Sequence, residues 1–191
     1  MRLNRLFSVA MLSFLFGVSA SAQQPYSGCW FPDDVINWSP LTDADAKFNR
    51  SRIPLQARID NHYGSGQIET ATITNKMCSL TPSQGDNNFL AYQPTYWQYM
   101  EKFINWGGAG NEGIFVLPPA GTIDAAHLNG VKILGTLFFM PRTIGGRDGW
   151  IEAMLTKDEN GKYPYAVKMY EIARYFGFDG WFINKELDNG K

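Results

Sequence analysis

From about Tyr96 onward the chain alternates short apolar runs with helix-like stretches, and that order constrains the fold more than any other feature. Val131 to Phe139 reads as a continuous apolar strand, the pattern of a strand buried on both faces of a parallel sheet. Upstream, Lys102-Phe103-Ile104-Asn105-Trp106 reads as a strand closed by Gly107-Gly108, and Gly113 to Leu117 as a second apolar run stopped by Pro118-Pro119. Thr122 to Leu128 has the form of a capped helix ending at Asn129-Gly130. Downstream, Trp150 to Leu155 begins helical material. Tyr165 to Phe176 continues it, with Val167, Tyr170, Ile172, Ala173 and Phe176 on one apolar side and Gly177 as the stop. Gly180 to Glu186 is the last strand. This succession predicts an α/β architecture with a parallel sheet and right-handed crossovers, arranged as an open sheet or a barrel. No G-x-G-x-x-G follows a strand, so no dinucleotide cofactor is indicated.

Residues 23–95 read differently. Pro25, Pro32, Pro40, Pro54, Pro82 and Pro94 punctuate an irregular N-terminal segment, interrupted by strand-like pieces such as Ile68 to Ile73. Residues 1–22 have the form of a signal peptide: Arg2 and Arg5, an apolar stretch from Leu6 to Val18, then the small residues Ser19-Ala20-Ser21-Ala22. That stretch is shorter than the roughly 20 residues a bilayer span needs. The expectation is an exported protein, periplasmic or secreted, that starts at Gln23 and keeps no membrane anchor. Losing the two leader arginines takes the formal charge from −1 to about −3. A slightly acidic chain of this kind is a poor nucleic-acid binder, because phosphate contacts need clustered Lys and Arg.

Aromatic residues make up 15% of the chain, which fits either exposed rings that grip sugars or a well-filled core. Cys29 and Cys78 pair in an oxidising compartment only if the fold brings them together, and the sequence does not decide this. The only histidines are His62 and His127, and no C-x-x-C or H-E-x-x-H spacing occurs, so no metal site is indicated.

The candidate chemistry lies at the end of the last strand. Side chains alternate faces along a strand, so Asn184 and Glu186 point the same way, about 7 Å apart. Polar groups at the C-terminal end of a parallel strand suit a (β/α)₈ TIM barrel, whose chemistry sits at that face. Such a barrel takes about 250 residues, and three clear strands of eight are legible here. The domain expectation is therefore a partial (β/α)₈ catalytic domain over residues 96–191, cut short after the catalytic strand. Trp181 has the opposite parity to Asn184 and is expected against the helical layer. Trp106, at a strand end, is a candidate for stacking on a sugar, with a lid or core role equally open. His127 reads as a packing residue, and Lys157-Asp158-Glu159-Asn160-Gly161 as a solvated loop.

Phe178-Asp179-Gly180-Trp181-Phe182-Ile183-Asn184-Lys185-Glu186 resembles the catalytic-strand motif F-D-G-W-[FL]-I-N-x-E of glycoside hydrolase family 85, the cytosolic-type endo-β-N-acetylglucosaminidases that cut the chitobiose core of N-glycans. Ala126 to Thr136 is similar to that family's A-H-R-N-G-V-x-[VS]-L-G-T segment. Trp38-Ser39-Pro40, Phe48-Asn49, Pro54 to Arg58, Tyr96 to Tyr99 and Leu117-Pro118-Pro119 fit it in order, so the likeness runs from about Asp33 to Glu186. Two positions depart from the pattern. Leu128 stands where the family usually has Arg, and Leu187 where a small or hydroxyl residue usually follows the Glu.

The resemblance implies substrate-assisted retention, an exception to the two-carboxylate scheme. The substrate's own 2-acetamido oxygen attacks the anomeric carbon and closes an oxazoline or oxazolinium ring. Asn184 orients the acetamido group, and Glu186 protonates the leaving oxygen and then deprotonates water. That acid must carry its proton near neutral pH, which calls for a partly desolvated, apolar surround. Other substrate-assisted families usually carry D-x-E, which Asn184 argues against. The rival expectation is an inactive truncated relic or a glycan-binding module of the same family.

Overall fold

The computed structural model describes residues 24–58, 69–72, 81–85 and 94–187. The leader, His62 and Cys78 lie outside them. Cys29 is disulfide-bonded.

The elements are β1 (Cys29–Trp30), α1 (Pro32–Asn37), β2 (Glu69–Thr72), β3 (Lys102–Asn105), β4 (Phe115–Val116), α2 (Ala120–Leu128), β5 (Lys132–Phe139), α3 (Gly149–Met154), α4 (Pro164–Phe176) and β6 (Gly180–Lys185). The six strands form one sheet around β5. Leu134 pairs with Ile104 of β3 and with Gly180 of β6, so those two strands lie on opposite edges of β5. Thr136 pairs with Val116 of β4 and with Phe182, which puts β4 on the β3 side, further along. β2 extends the sheet in parallel beyond β3, and β1 extends it antiparallel beyond β4. Residues 23–95 thus contribute two strands to the same sheet.

The α/β architecture predicted from the succession of elements is what the chain adopts, with one correction. The run Gly113 to Leu117 contributes a strand that is antiparallel to β5. A parallel neighbour needs a crossover of a dozen or more residues, and the link from Asn105 to Phe115 is too short for one.

Local chemistry explains the boundaries. Pro119 caps α2 and Pro164 opens α4, where a missing N–H costs nothing. Gly177, at φ 89°, ends α4 in the left-handed region open to glycine. Gly130 turns the chain from α2 into β5 at φ 70°, and a Cβ there would lie 2.4 Å from Arg58 Cα, so this turn admits glycine alone. The core fills the space between sheet and helices with Phe103, Phe115, Ile133, Ile172 and Phe176, all buried. Trp30 and Trp38 stack at its margin, with ring centroids 6.1 Å apart. Among the described residues, no helix is long and apolar enough to cross a membrane.

Candidate active site

Residues paired across parallel strands project to the same face. The register therefore puts Ile104, Leu134, Thr136, Phe138, Phe182 and Asn184 on one face of the sheet, with Phe103, Ile133, Leu137, Phe139, Trp181 and Ile183 on the other. The second face carries the helices. Trp181 donates its indole N–H to Met169 O of α4 at 3.0 Å and meets Phe115 edge-on, as its parity predicts.

On the first face the strand ends bring three of the expected residues to one mouth. The Glu186 amide donates to Phe139 O at 2.8 Å, which carries the strand geometry one residue past β6 and keeps Glu186 in step with Asn184. The two side chains meet: Asn184 Nδ2 donates to Glu186 Oε1 at 2.8 Å. Asn184 is half-buried and Glu186 exposed. Phe138, the cross-strand partner of Asn184, is buried, and its ring centroid lies 5.6 Å from that of Trp106. Trp106 is half-buried just past the end of β3, so the order along the mouth is Trp106, Phe138, Asn184. Beneath them Thr136 donates its hydroxyl to Asn105 O at 2.8 Å, which satisfies a buried polar group and ties β5 to β3. The apolar surround expected for Glu186 is not present among the described residues.

A cleft of about 500 Å³ lined by Leu137, Phe139, Met154, Met169 and Ile183 lies between the sheet and α3 and α4. It opens on the face opposite Asn184, so it is not part of this mouth. No group of three or more His, Cys, Asp or Glu suited to a metal occurs among the described residues.

Two features were not foreseen. Phe138 was read only as part of an apolar strand, and its role between Trp106 and Asn184 follows from register. His127, read as packing, is buried but pairs with Asp179 at 2.9 Å on the opposite, N-terminal side of β6. The Asp of the F-D-G-W run was the available signal for that pair.

The sequence profile of glycosyl hydrolase family 85 matches residues 74–191, more than half of the chain and all of β3 to β6. The chain belongs to glycosyl hydrolase family 85. A mouse protein named cytosolic endo-β-N-acetylglucosaminidase is 36% identical over 157 residues, covering 81% of this chain and 20% of the relative. An Arabidopsis thaliana protein named cytosolic endo-β-N-acetylglucosaminidase 1 is 34% identical over 150 residues, 73% of this chain and 19% of its own length. Among solved structures, the glycoside hydrolase domain of Endo-D from Streptococcus pneumoniae superposes with a TM-score of 0.72 at 29% identity, over 86% of this chain and 26% of that one. The family 85 chain described here thus spans about a fifth of the curated relatives it matches. Leu128 is exposed at the end of α2, and Leu187 packs against the core.

Proposed function

We propose that this family 85 segment carries the catalytic strand of an endo-β-N-acetylglucosaminidase that hydrolyses the GlcNAc-β-1,4-GlcNAc bond of N-glycans with retention, through an oxazoline. The observation that carries the reading is the Asn184–Glu186 contact at the C-terminal end of a parallel strand. With Nδ2 held by Glu186, Asn184 Oδ1 accepts the acetamido N–H and turns the acetamido oxygen toward the anomeric carbon. That oxygen forms a bond to C1 as the C1–O bond to the leaving sugar breaks, and Glu186 gives its proton to the departing oxygen. The acetamido nitrogen keeps its proton throughout, so the ring closes as the oxazolinium. Water then attacks C1, Glu186 takes a proton from that water, and the C1–O bond of the ring breaks to restore the acetamido group. Trp106 offers a flat apolar surface for a sugar beside this pair.

The likeness to the Endo-D domain supports a (β/α)₈ barrel, of which this sheet is the first part. The leader-like residues 1–22 support export, with Gln23 as the first residue of the mature protein. N-terminal sequencing of exported material that returned Met1 would refute that. The exposure of Glu186 favours the second reading, a glycan-binding module without turnover. The test is to incubate a protein carrying this segment with an N-glycosylated peptide and weigh the product. A peptide keeping one GlcNAc supports hydrolysis at the chitobiose bond. Binding without cleavage supports the module, and release of the whole glycan contradicts both.

A further inference from the structure

We propose that His127 is held as a buried imidazolium whose charge clamps the start of the catalytic strand β6 to β5 and to the 51–56 strap, making this anchorage sensitive to pH.

The argument rests on what the two ring nitrogens face. Nδ1 lies 2.7 Å from Ile53 O, and Nε2 lies 2.9 Å from Asp179 Oδ2. A carbonyl oxygen can only accept. Asp179 Oδ2 also accepts the Ile133 N–H at 2.8 Å, and as a carboxylate it too can only accept. A neutral imidazole carries a single N–H and would set a bare nitrogen lone pair against one of these oxygens. A proton shared between Nε2 and Oδ2 sits on the imidazole, ordinarily a stronger base than a carboxylate, so the doubly protonated ring is the form that satisfies both contacts. His127 is 4% exposed, so an unmatched nitrogen could not turn to water instead.

The surroundings carry the matching charge. Asp179 faces the ring from the turn before β6 and Asp124 from α2 itself, while the strap contributes a carbonyl and β5 an amide. Burial alone would lower the pKa of the ring. The Asp179 hydrogen bond, the Ile53 carbonyl and the fields of Asp179 and Asp124 outweigh it, and the net direction is upward from 6.5.

The clamp reaches four segments. Asp179 N donates to Ile133 O at 2.9 Å, which closes a two-way link between the starts of β6 and β5. Asp124 Oδ1 accepts from Ser51 Oγ and from the amides of Arg52 and Ile53, and the Gln56 amide donates to His127 O. A group with a folded pKa above its unfolded value stabilises fully below the unfolded value, and the contribution fades as pH rises through the folded one. The clamp is therefore intact below about pH 6.5 and weakens above it.

The test uses the chain with His62→Gln, which leaves His127 as the sole imidazole. Nitrogen-15 NMR of the ring should show both nitrogens predominantly protonated at pH 6.5, with a titration midpoint above 6.5. Asp179→Asn should pull that midpoint down. Each unit of midpoint above the unfolded value corresponds to a tenfold loss in the folding equilibrium on deprotonation. Urea midpoints of the wild type should accordingly fall between pH 6.5 and 9, and those of His127→Gln should not. A neutral tautomer at pH 6.5, or a midpoint unmoved by Asp179→Asn, overturns the proposal. Should His127→Gln fail to fold, the NMR arm decides alone.

Discussion

The two ends of β5 and β6 are built to opposite rules. At their N-terminal ends three polar side chains are fully engaged: Asp179 ties both strands, His127 bridges Asp179 to Ile53, and Asp124 collects three donors from the strap. At their C-terminal ends the carboxamide and carboxylate of Asn184 and Glu186 meet each other, with Glu186 open to solvent. One end specifies where the strands lie, and the other leaves groups available to a substrate. On the proposed function, fold and chemistry are segregated along a single strand, which would let the mouth vary without loosening the sheet.

That contrast can be broken by substitution at either end. The largest effect is expected at the mouth. In a protein carrying this segment, Glu186→Gln should lower glycan hydrolysis by about 10²–10⁴-fold, the usual worth of general acid–base catalysis. Its unfolding free energy should stay within about 0.5 kcal/mol of wild type, as for an exposed side chain. A comparable loss of stability would mean that the mouth also holds the fold.

At the other end the costs should fall on stability. Gly130→Ala forces a Cβ into Arg58 Cα at positive φ and should destabilise by about 2–3 kcal/mol in urea unfolding. Asp124→Ala leaves two strap amides without their acceptor, while Ser51 Oγ keeps Ile53 O, and should cost about 1–2 kcal/mol, part of the loss being made good by water. Under conditions where both variants are folded, neither should change turnover per folded molecule by more than about twofold, a shift of roughly 0.4 kcal/mol. A larger fall would show that the two ends are coupled.

What could be read in advance follows the same division. The Asn184–Glu186 pairing was legible because strand parity is local, and α4 because Gly177 ends it and Ile172, Ala173 and Phe176 are buried as read. Val167 and Tyr170, read onto the same apolar side, are exposed, since they fall on the side of the helix that faces away from the sheet. The direction of β4 was not legible, since a two-residue strand carries no periodicity and only the shortness of its link excludes a parallel course. β1 escaped notice because it exists only through pairing with residues far along the chain. His127 was read as a packing residue and is buried as expected, but its carboxylate partner was not legible, for a related reason. A lone histidine on an apolar helix face looks like packing until a carboxylate 52 positions away is brought to its edge.

The measurement that bears most directly on the chemistry is a pair of assays on Asn184→Ala in a protein carrying this segment: hydrolysis of an intact N-glycan, and glycosyl transfer from a preformed sugar oxazoline. Asn184 is assigned to formation of that ring, a step the oxazoline donor has already passed. Hydrolysis should fall by about 10²–10³-fold, the typical worth of one oriented hydrogen-bonding group in a reacting site, while transfer persists. Hydrolysis of the glycan at the wild-type rate by Asn184→Ala would contradict the substrate-assisted account.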